Sequence, residues 1–453
     1  MVWLERALGS ELGRRTLSKV TWRLIPFMFI LYIISFLDRV NVGFAALQMN
    51  KDLGFSDAVY GLGAGIFFIG YFLFEIPSNL ILERVGARIW IARIMLTWGV
   101  ISSAMMFATG PASFYVLRFL LGLAEAGFFP GMILYLTYWF PARERARRVA
   151  GFMTAIPMAG VIGSPISGLL LSLDGFAGLQ GWQIMFLLEG IPAVIMGIVV
   201  LFYMTDRPEH ADWLEEDERG WLRDALGREN RIKAEHGEYS TRQAMTSGKV
   251  WLLAFVYFGV VTSVYGVGLW LPLIIRGFSG LSDLLVGLLA TIPYIAGVIG
   301  MVLFARHSDA TGERRWHVAV PTFIATVGLI LTGLVGSSTV LQMAALTIAA
   351  LGIYSALATF WSLPTAFLSG TAAAAGIALV NSVGNLGGFV GPYAIGFLSE
   401  RTGSTYTGML FLAVLILLAG LVAVLAVRHE RSLEEVEEVV TPTIGASGDP
   451  ARE

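Results

Sequence analysis

The sequence predicts an all-α integral membrane protein in which twelve transmembrane helices form two six-helix bundles. Three observations predict it. First, 56% of the 453 residues are hydrophobic, 14% are charged and the mean hydropathy is +0.71. A water-soluble domain carries about 25% charged residues. Second, twelve apolar stretches reach the roughly 20 residues that cross a bilayer as a helix. Third, one long polar segment, 205–249, divides them six and six.

The stretches cover 23–45, 59–81, 88–108, 112–136, 147–171, 183–204, 250–276, 284–305, 315–336, 339–363, 373–398 and 405–427. They are too long and continuous for barrel strands, which alternate over about ten residues. Helices satisfy their own backbone groups in lipid. Segment 1–22 has no apolar core ahead of the first span and no cleavage-site pattern, so it predicts a short amphipathic surface helix, not a signal peptide. Bundles are expected over 23–204 and 250–427. Between them the linker 205–249 carries 11 acids and 8 bases, and its WLEEDERGWLRDAL core predicts a surface helix. A polar tail, 428–453, follows the last span.

Positive charges set the expected orientation. The ends and even-numbered connections on their side, including Arg143, Arg145, Arg147 and Arg148 between spans 4 and 5, hold 26 Lys and Arg. The opposite side holds 3, Lys51, Arg276 and Arg401. Both termini are therefore expected in the cytoplasm, as for a multi-pass inner-membrane protein.

Composition also excludes chemistries. With no cysteine there is no disulfide, thiolate metal site or cysteine nucleophile. The five histidines fall in polar connections or at their edges, so no buried histidine metal site is expected. A net charge of −2 gives no reason to expect nucleic acid. The nearest serine–histidine neighbours, His307 and Ser308, lack an orienting pocket. No enzyme activity and no cofactor are expected.

The halves share a signal. ERVGARIW between spans 2 and 3 has Glu83, Gly86, Arg88 and Trp90; DATGERRW between spans 8 and 9 has Asp309, Gly312, Arg314 and Trp316. Corresponding positions predict a parallel repeat about an axis along the membrane normal. An acid ending one helix and a basic turn before the next suit an interhelix charge latch, or simply mark the positive face. Spans 5 and 11 also match, with Pro157, Gly160, Gly163, Pro165 and Gly168 in one and Gly384, Gly387, Gly388, Gly391, Pro392 and Gly396 in the other. Small residues let helices approach closely and proline bends them.

Charges inside spans are costly and mark function. FLDRVNVGFA in span 1 places Asp38 beside Arg39. RFLLGLAEAGFFPG in span 4 places Arg118 and Glu125 seven residues apart, on one face and about 10 Å apart along the axis. The guanidinium suits a carboxylate partner. Among Leu, Ala, Gly and Phe, burial disfavours the charged form of Glu125, as a proton carrier requires. The other reading is a permanent structural pair. Together Asp38, Arg39, Arg118 and Glu125 are expected to line one aqueous chamber. Glu75, near the end of span 2, is assigned to the gate network, and Glu189 in span 6 to structure. Tyr71, Ser362, Asn381 and Asn385 could complete a pocket; the two asparagines are one turn apart and share a face. Interhelical hydrogen bonds are the alternative for each.

Twelve spans, the paired loop motifs and the strings FLDRVNVGFA, GYFLFEIPSNLILERVGARIW and RFLLGLAEAGFFPG resemble the major facilitator superfamily, and within it the anion:cation symporter family. The likeness covers about residues 20–428 and lies nearest bacterial permeases for tartrate, with 4-hydroxyphenylacetate and phthalate permeases close by. The resemblance implies proton-coupled uptake of a small organic anion by alternating access. It implies substrate binding by Arg39, Tyr71 and Arg118, with Ser362, Asn381 and Asn385 in the second half. It implies proton coupling through Glu125 and Asp38. The implied partners are the anion, a proton and the bilayer. Glu83 stands where the broad superfamily usually has Asp.

Overall fold

The computed structural model describes residues 10–440 except 142, 143, 145–147, 149, 150, 236–245, 337, 368 and 369. Arg143, Arg145 and Arg147, the first nine residues of the N-terminal segment and the end of the tail lie outside them. All spans among the described residues are helical. Span 1 is Glu11–Val40 followed by Val42–Asp52, span 2 Asp57–Val85, span 3 Ala87–Ala104, and span 4 Pro111–Glu125 followed by Phe128–Thr137. Spans 5 and 6 are Ala155–Leu171 and Gly181–Tyr203, and the linker helix is Glu216–Glu235. Spans 7, 8 and 9 are Gly248–Ser279, Asp283–Thr311 and Arg315–Leu334. Span 10 is Thr339–Phe360 with Ser362–Phe367, span 11 Gly370–Asn385 with Gly387–Thr402, and span 12 Thr405–Val440.

Eleven helical stretches are each long and apolar enough to cross a membrane. The twelfth crossing, span 11, is not among them; it is divided at Leu386 into two 16-residue helices. The glycines that flank this point offer little resistance to a break.

The N-terminal segment departs from expectation. Ser10 caps a helix through Gly13 N at 3.0 Å, and that helix runs without interruption into span 1. No glycine or proline stands between Gly13 and Pro26 to stop it. Its exposed face holds the linker: Arg15 reaches Glu215, Asp217 and Glu218 at 3.0–3.1 Å, and Lys19 reaches Glu218 at 2.9 Å.

The parallel repeat is visible as packing. Gly61 of span 2 meets span 11, where an added Cβ would lie 2.6 Å from Pro392 O and 3.1 Å from Gly396 Cα. Its counterpart Gly287 of span 8 meets span 5 the same way, 2.4 Å from Ser164 O and 3.0 Å from Gly168 Cα. One turn and more further on, the Phe68 ring fills the space a side chain at Gly388 would need, and the Tyr294 ring does so at Gly160. The similarity of spans 5 and 11 thus has a cause: each crosses to the other half. Pro165 and Pro392 sit inside them, as expected for bent helices.

These crossings press the halves together on the face away from the termini. Polar ties reinforce them there. Gln48 donates to Asp283 at 2.8 Å, Ser56 to Glu400 at 2.7 Å, Ser399 to Asp57 at 2.5 Å and Tyr60 to Leu269 O at 2.6 Å. A narrow cavity lies between the halves nearer the middle of the spans.

Candidate functional site

Span 4 breaks near its middle. Its first helix ends at Glu125; Ala126 is extended, and Gly127 takes φ +83° before Phe128 starts a second helix. A side chain at Gly127 would be strained in that conformation and would meet Ser78 Oγ at 2.3 Å. The break leaves the Glu125 carboxylate facing span 1.

Ser35 Oγ donates to Glu125 Oε1 at 2.6 Å, and Arg39 Nη2 makes a short, buried ion pair with the same oxygen. Arg39 Nη1 donates to the Tyr265 hydroxyl of span 7 at 2.7 Å. The guanidinium lies 5.2 Å from the Tyr71 ring centre and 5.4 Å from that of Phe67. Glu125 is fully buried and Arg39 is 5% exposed. A charge so placed requires a partner, and each supplies the other. Arg39 Nε and Glu125 Oε2 have no hydrogen-bond partner among the described residues. Arg39, Tyr71 and Tyr265 line the cavity together with Tyr32, Asn381 and Asn385.

Several expected placements are corrected. Arg118 does not meet Glu125. It donates to the carbonyls of Gly63 and Ala64 in span 2, at 3.3 and 3.2 Å, and stands 5.0 Å from the Phe67 ring centre. Two turns separate it from Glu125, and span 2 packs so tightly against Gly122 that its backbone is the nearer acceptor. Arg39 takes the carboxylate instead. Asp38 is turned about 100° from Arg39, into the N-terminal bundle, where Trp98 Nε1 and Ser102 Oγ donate to it at 2.7 and 2.9 Å. Of the four ions expected to line one chamber, only Arg39 lines it; Glu125 lies directly behind, and Asp38 and Arg118 occupy separate nests. Ser362 sits at the break of span 10, donates to Thr359 O at 2.7 Å and does not line the cavity. Glu75 joins no gate loop: Asn381 Nδ2 donates to its Oε1 at 2.7 Å. Glu83 lies eight residues beyond it, about 12 Å along the helix.

Glu189 accepts from Ser167 at 2.7 Å inside the first bundle, as a structural group would. Tyr265 and Ser35 were the partners that sequence reasoning missed. Tyr265 had a signal: it is 226 residues from Arg39, the same offset that relates the two repeated loop motifs.

Those loops share a backbone shape more than a charge pattern. Gly86 and Gly312 both turn with positive φ, +98° and +70°. In the second loop Arg314 donates to Asp309 at 2.6 Å. In the first, Glu83 is exposed, and Asp206 from the end of span 6 accepts from the Arg88 backbone N–H at 2.8 Å. Glu313 caps span 9 through Trp316 and His317. Burial pushes its carboxyl up, but those amides and the His317 ring outweigh it and hold it below the usual range.

Comparison with known proteins agrees with this architecture. The family model described as Major Facilitator Superfamily matches residues 28–392. An Agrobacterium vitis protein named "Putative tartrate transporter" is 56% identical over 93% of this chain and 96% of its own. The "Quinolone resistance transporter" of Acinetobacter baumannii is 45% identical over 90% and 94%. Among solved structures, a bacterial homologue of the human lysosomal transporter Spinster, inward-facing, superposes with a TM-score of 0.74 at 18% identity, over 93% of this chain and 98% of its own. With twelve helical spans in two related bundles around a shared cavity, the chain belongs to the Major Facilitator Superfamily, as a multi-pass membrane transporter and not an enzyme.

Proposed function

We propose that this transporter is a proton-coupled symporter that takes up a small organic anion, tartrate or a related hydroxy or sugar acid, across the inner membrane, with both termini cytoplasmic. The observation that carries the reading is the Arg39–Glu125 pair at the cavity wall. While Glu125 is ionised it neutralises Arg39, and the cavity has no free positive charge for an anion. A proton on Glu125 releases the guanidinium, and Ser35 remains beside the carboxyl. Proton and anion then enter together, which is symport. Asp38 contributes a second protonatable group. The bundles 23–204 and 250–427 then rock about the cavity, with Glu83, Gly86, Arg88, Asp309, Gly312 and Arg314 setting which face is latched. The relative's name supports the tartrate class.

The test is uptake into proteoliposomes with and without an inward proton gradient. Glu125→Gln is expected to abolish gradient-driven accumulation and to keep counterflow of preloaded substrate. Accumulation that still follows the pH gradient in this variant rejects Glu125 as the carrier. A second reading, an aromatic acid of the 4-hydroxyphenylacetate or phthalate type, is favoured by the aromatic wall of Tyr32, Phe129, Tyr257 and Tyr265; the same uptake with these acids decides between them.

A further inference from the structure

Glu75 is a buried carboxylate that the coupling scheme leaves without work. It is 5% exposed, comes from span 2, and does not itself line the cavity. In front of it stand Asn381 and Asn385 of span 11, which do. Asn381 Nδ2 donates to Glu75 Oε1 at 2.7 Å, and the Asn385 amide also faces the carboxyl. This contact joins the two halves on the terminus side of the Arg39–Tyr265 bond.

An ionised carboxylate accepts hydrogen bonds and cannot donate them. The amide nitrogens must therefore turn to an ionised Glu75. An amide is planar, with its oxygen on the edge opposite the nitrogen. Anchoring the nitrogen behind the wall turns the oxygen toward the cavity. At the other end of the same cavity Arg39 and the Tyr265 hydroxyl present donors.

We infer that Glu75 is a positioning residue which fixes the polarity of Asn381 and Asn385, so that their carbonyl oxygens form a hydroxyl-reading subsite opposite the carboxylate-reading Arg39. The ligand class is then an anion with a hydroxyl donor a few bonds from its carboxylate. This inference rests on the organic-anion reading of the cavity and adds to it a rule about hydroxyl groups.

The experiment is equilibrium binding to the full-length protein in detergent from about pH 6 to about pH 8, with the acids compared at the pH where tartrate binds most tightly, because the coupling scheme admits an anion only once Glu125 carries a proton. The probes are tartrate, malate and succinate, which carry two, one and no hydroxyls on one carbon frame. The wild type is expected to lose about tenfold in affinity with each hydroxyl removed, the worth of one good hydrogen bond. Glu75→Gln should weaken tartrate about tenfold, leave succinate unchanged and flatten the series. Glu75→Asp, which keeps the charge, should retain the ranking. Asn381→Leu should flatten it as Glu75→Gln does. Equal wild-type affinity for the three acids overturns the inference while leaving the anion reading intact. So does a Glu75→Gln protein with the wild-type ranking, or one that loses succinate as well. Wild-type binding of none of the three moves the comparison to 4-hydroxyphenylacetate against phenylacetate, where equal affinity overturns it. Failure of every acid to bind removes the anion reading itself.

Discussion

Arg39 and Tyr265 stand 226 residues apart, occupy equivalent places in the two halves, and are hydrogen-bonded to each other at 2.7 Å. The first span of each bundle meets its own counterpart at this point. Nearby, an added Cβ at Gly43 would lie 2.6 Å from Leu269 O, so the backbones nearly touch. The repeat has kept the position and divided the chemistry: a permanent cation on one side, a neutral hydroxyl on the other. Breaking this bond is a direct way to ask whether the halves communicate through the site.

Tyr265→Phe removes one partner of the guanidinium and no volume from the ring wall. Anion affinity is expected to fall about tenfold, as for loss of one hydrogen bond to a charged group. Arg39→Lys keeps the charge and loses the fork that spans Tyr265 and Glu125; transport should be abolished. Binding isotherms and uptake on the purified variants check both.

Arg118 offers the contrasting case. It holds span 2 carbonyls and does not line the cavity. Arg118→Met should leave substrate affinity within about threefold of wild type and cost on the order of 1–3 kcal/mol in stability, through the lost hydrogen bonds from a charged donor to the span 2 carbonyls. A melting curve and a binding isotherm on the same sample separate these effects. A large affinity loss with unchanged melting would place Arg118 in the binding site after all.

The glycine crossings predict a steric block. A valine at Gly61 or Gly287 cannot fit against backbone 2.4–2.6 Å from its Cβ. Either substitution should stop turnover while membrane insertion stays normal. Because the chain has no cysteine, closure can be followed in a clean background with thiols introduced at Ser56 and Glu400. Cross-linking should be efficient in the wild-type frame and poor when Gly61→Val is added.

The linker dock has a defined pH response. Burial pushes the Glu218 carboxyl up, but the Glu215 amide, Lys19 and Arg15 together hold it below its usual value of 4.5. A carboxyl depressed in the folded state stabilises the dock fully above its unfolded value, and that contribution is lost as pH falls through the folded value. Protection factors for the amides of 216–228, taken against the intrinsic exchange rate at each pH, should therefore be flat from neutrality down to about pH 5 and fall below it. Salt should weaken the exposed Arg15–Glu215 contact more than the buried Glu218 one.

Much of this was legible in the sequence. Twelve apolar runs, one polar divider and a repeated loop motif specify spans and bundles, because hydropathy and length are properties of single segments. The identity of the intramembrane ions was legible too. Their partners were not. Periodicity places Arg118 and Glu125 on one face of span 4, but it says nothing of which neighbouring helix that face meets. The contact of Gly122 with span 2, and the turn at Gly127, decide that Glu125 belongs to Arg39. Glu75 was misplaced for the same reason: its distance from the loop was readable, and its distance from Asn381 in another half of the chain was not.

The two seams at Gly61 with Gly396 and at Gly287 with Gly168 put bare main chain on both sides. No side chain is threaded through either seam at these points, so the surfaces can part without any rotamer change there. Separation then costs lost dispersion and exposed carbonyls in place of disentanglement, and a larger residue at any of the four would jam the joint from one flank.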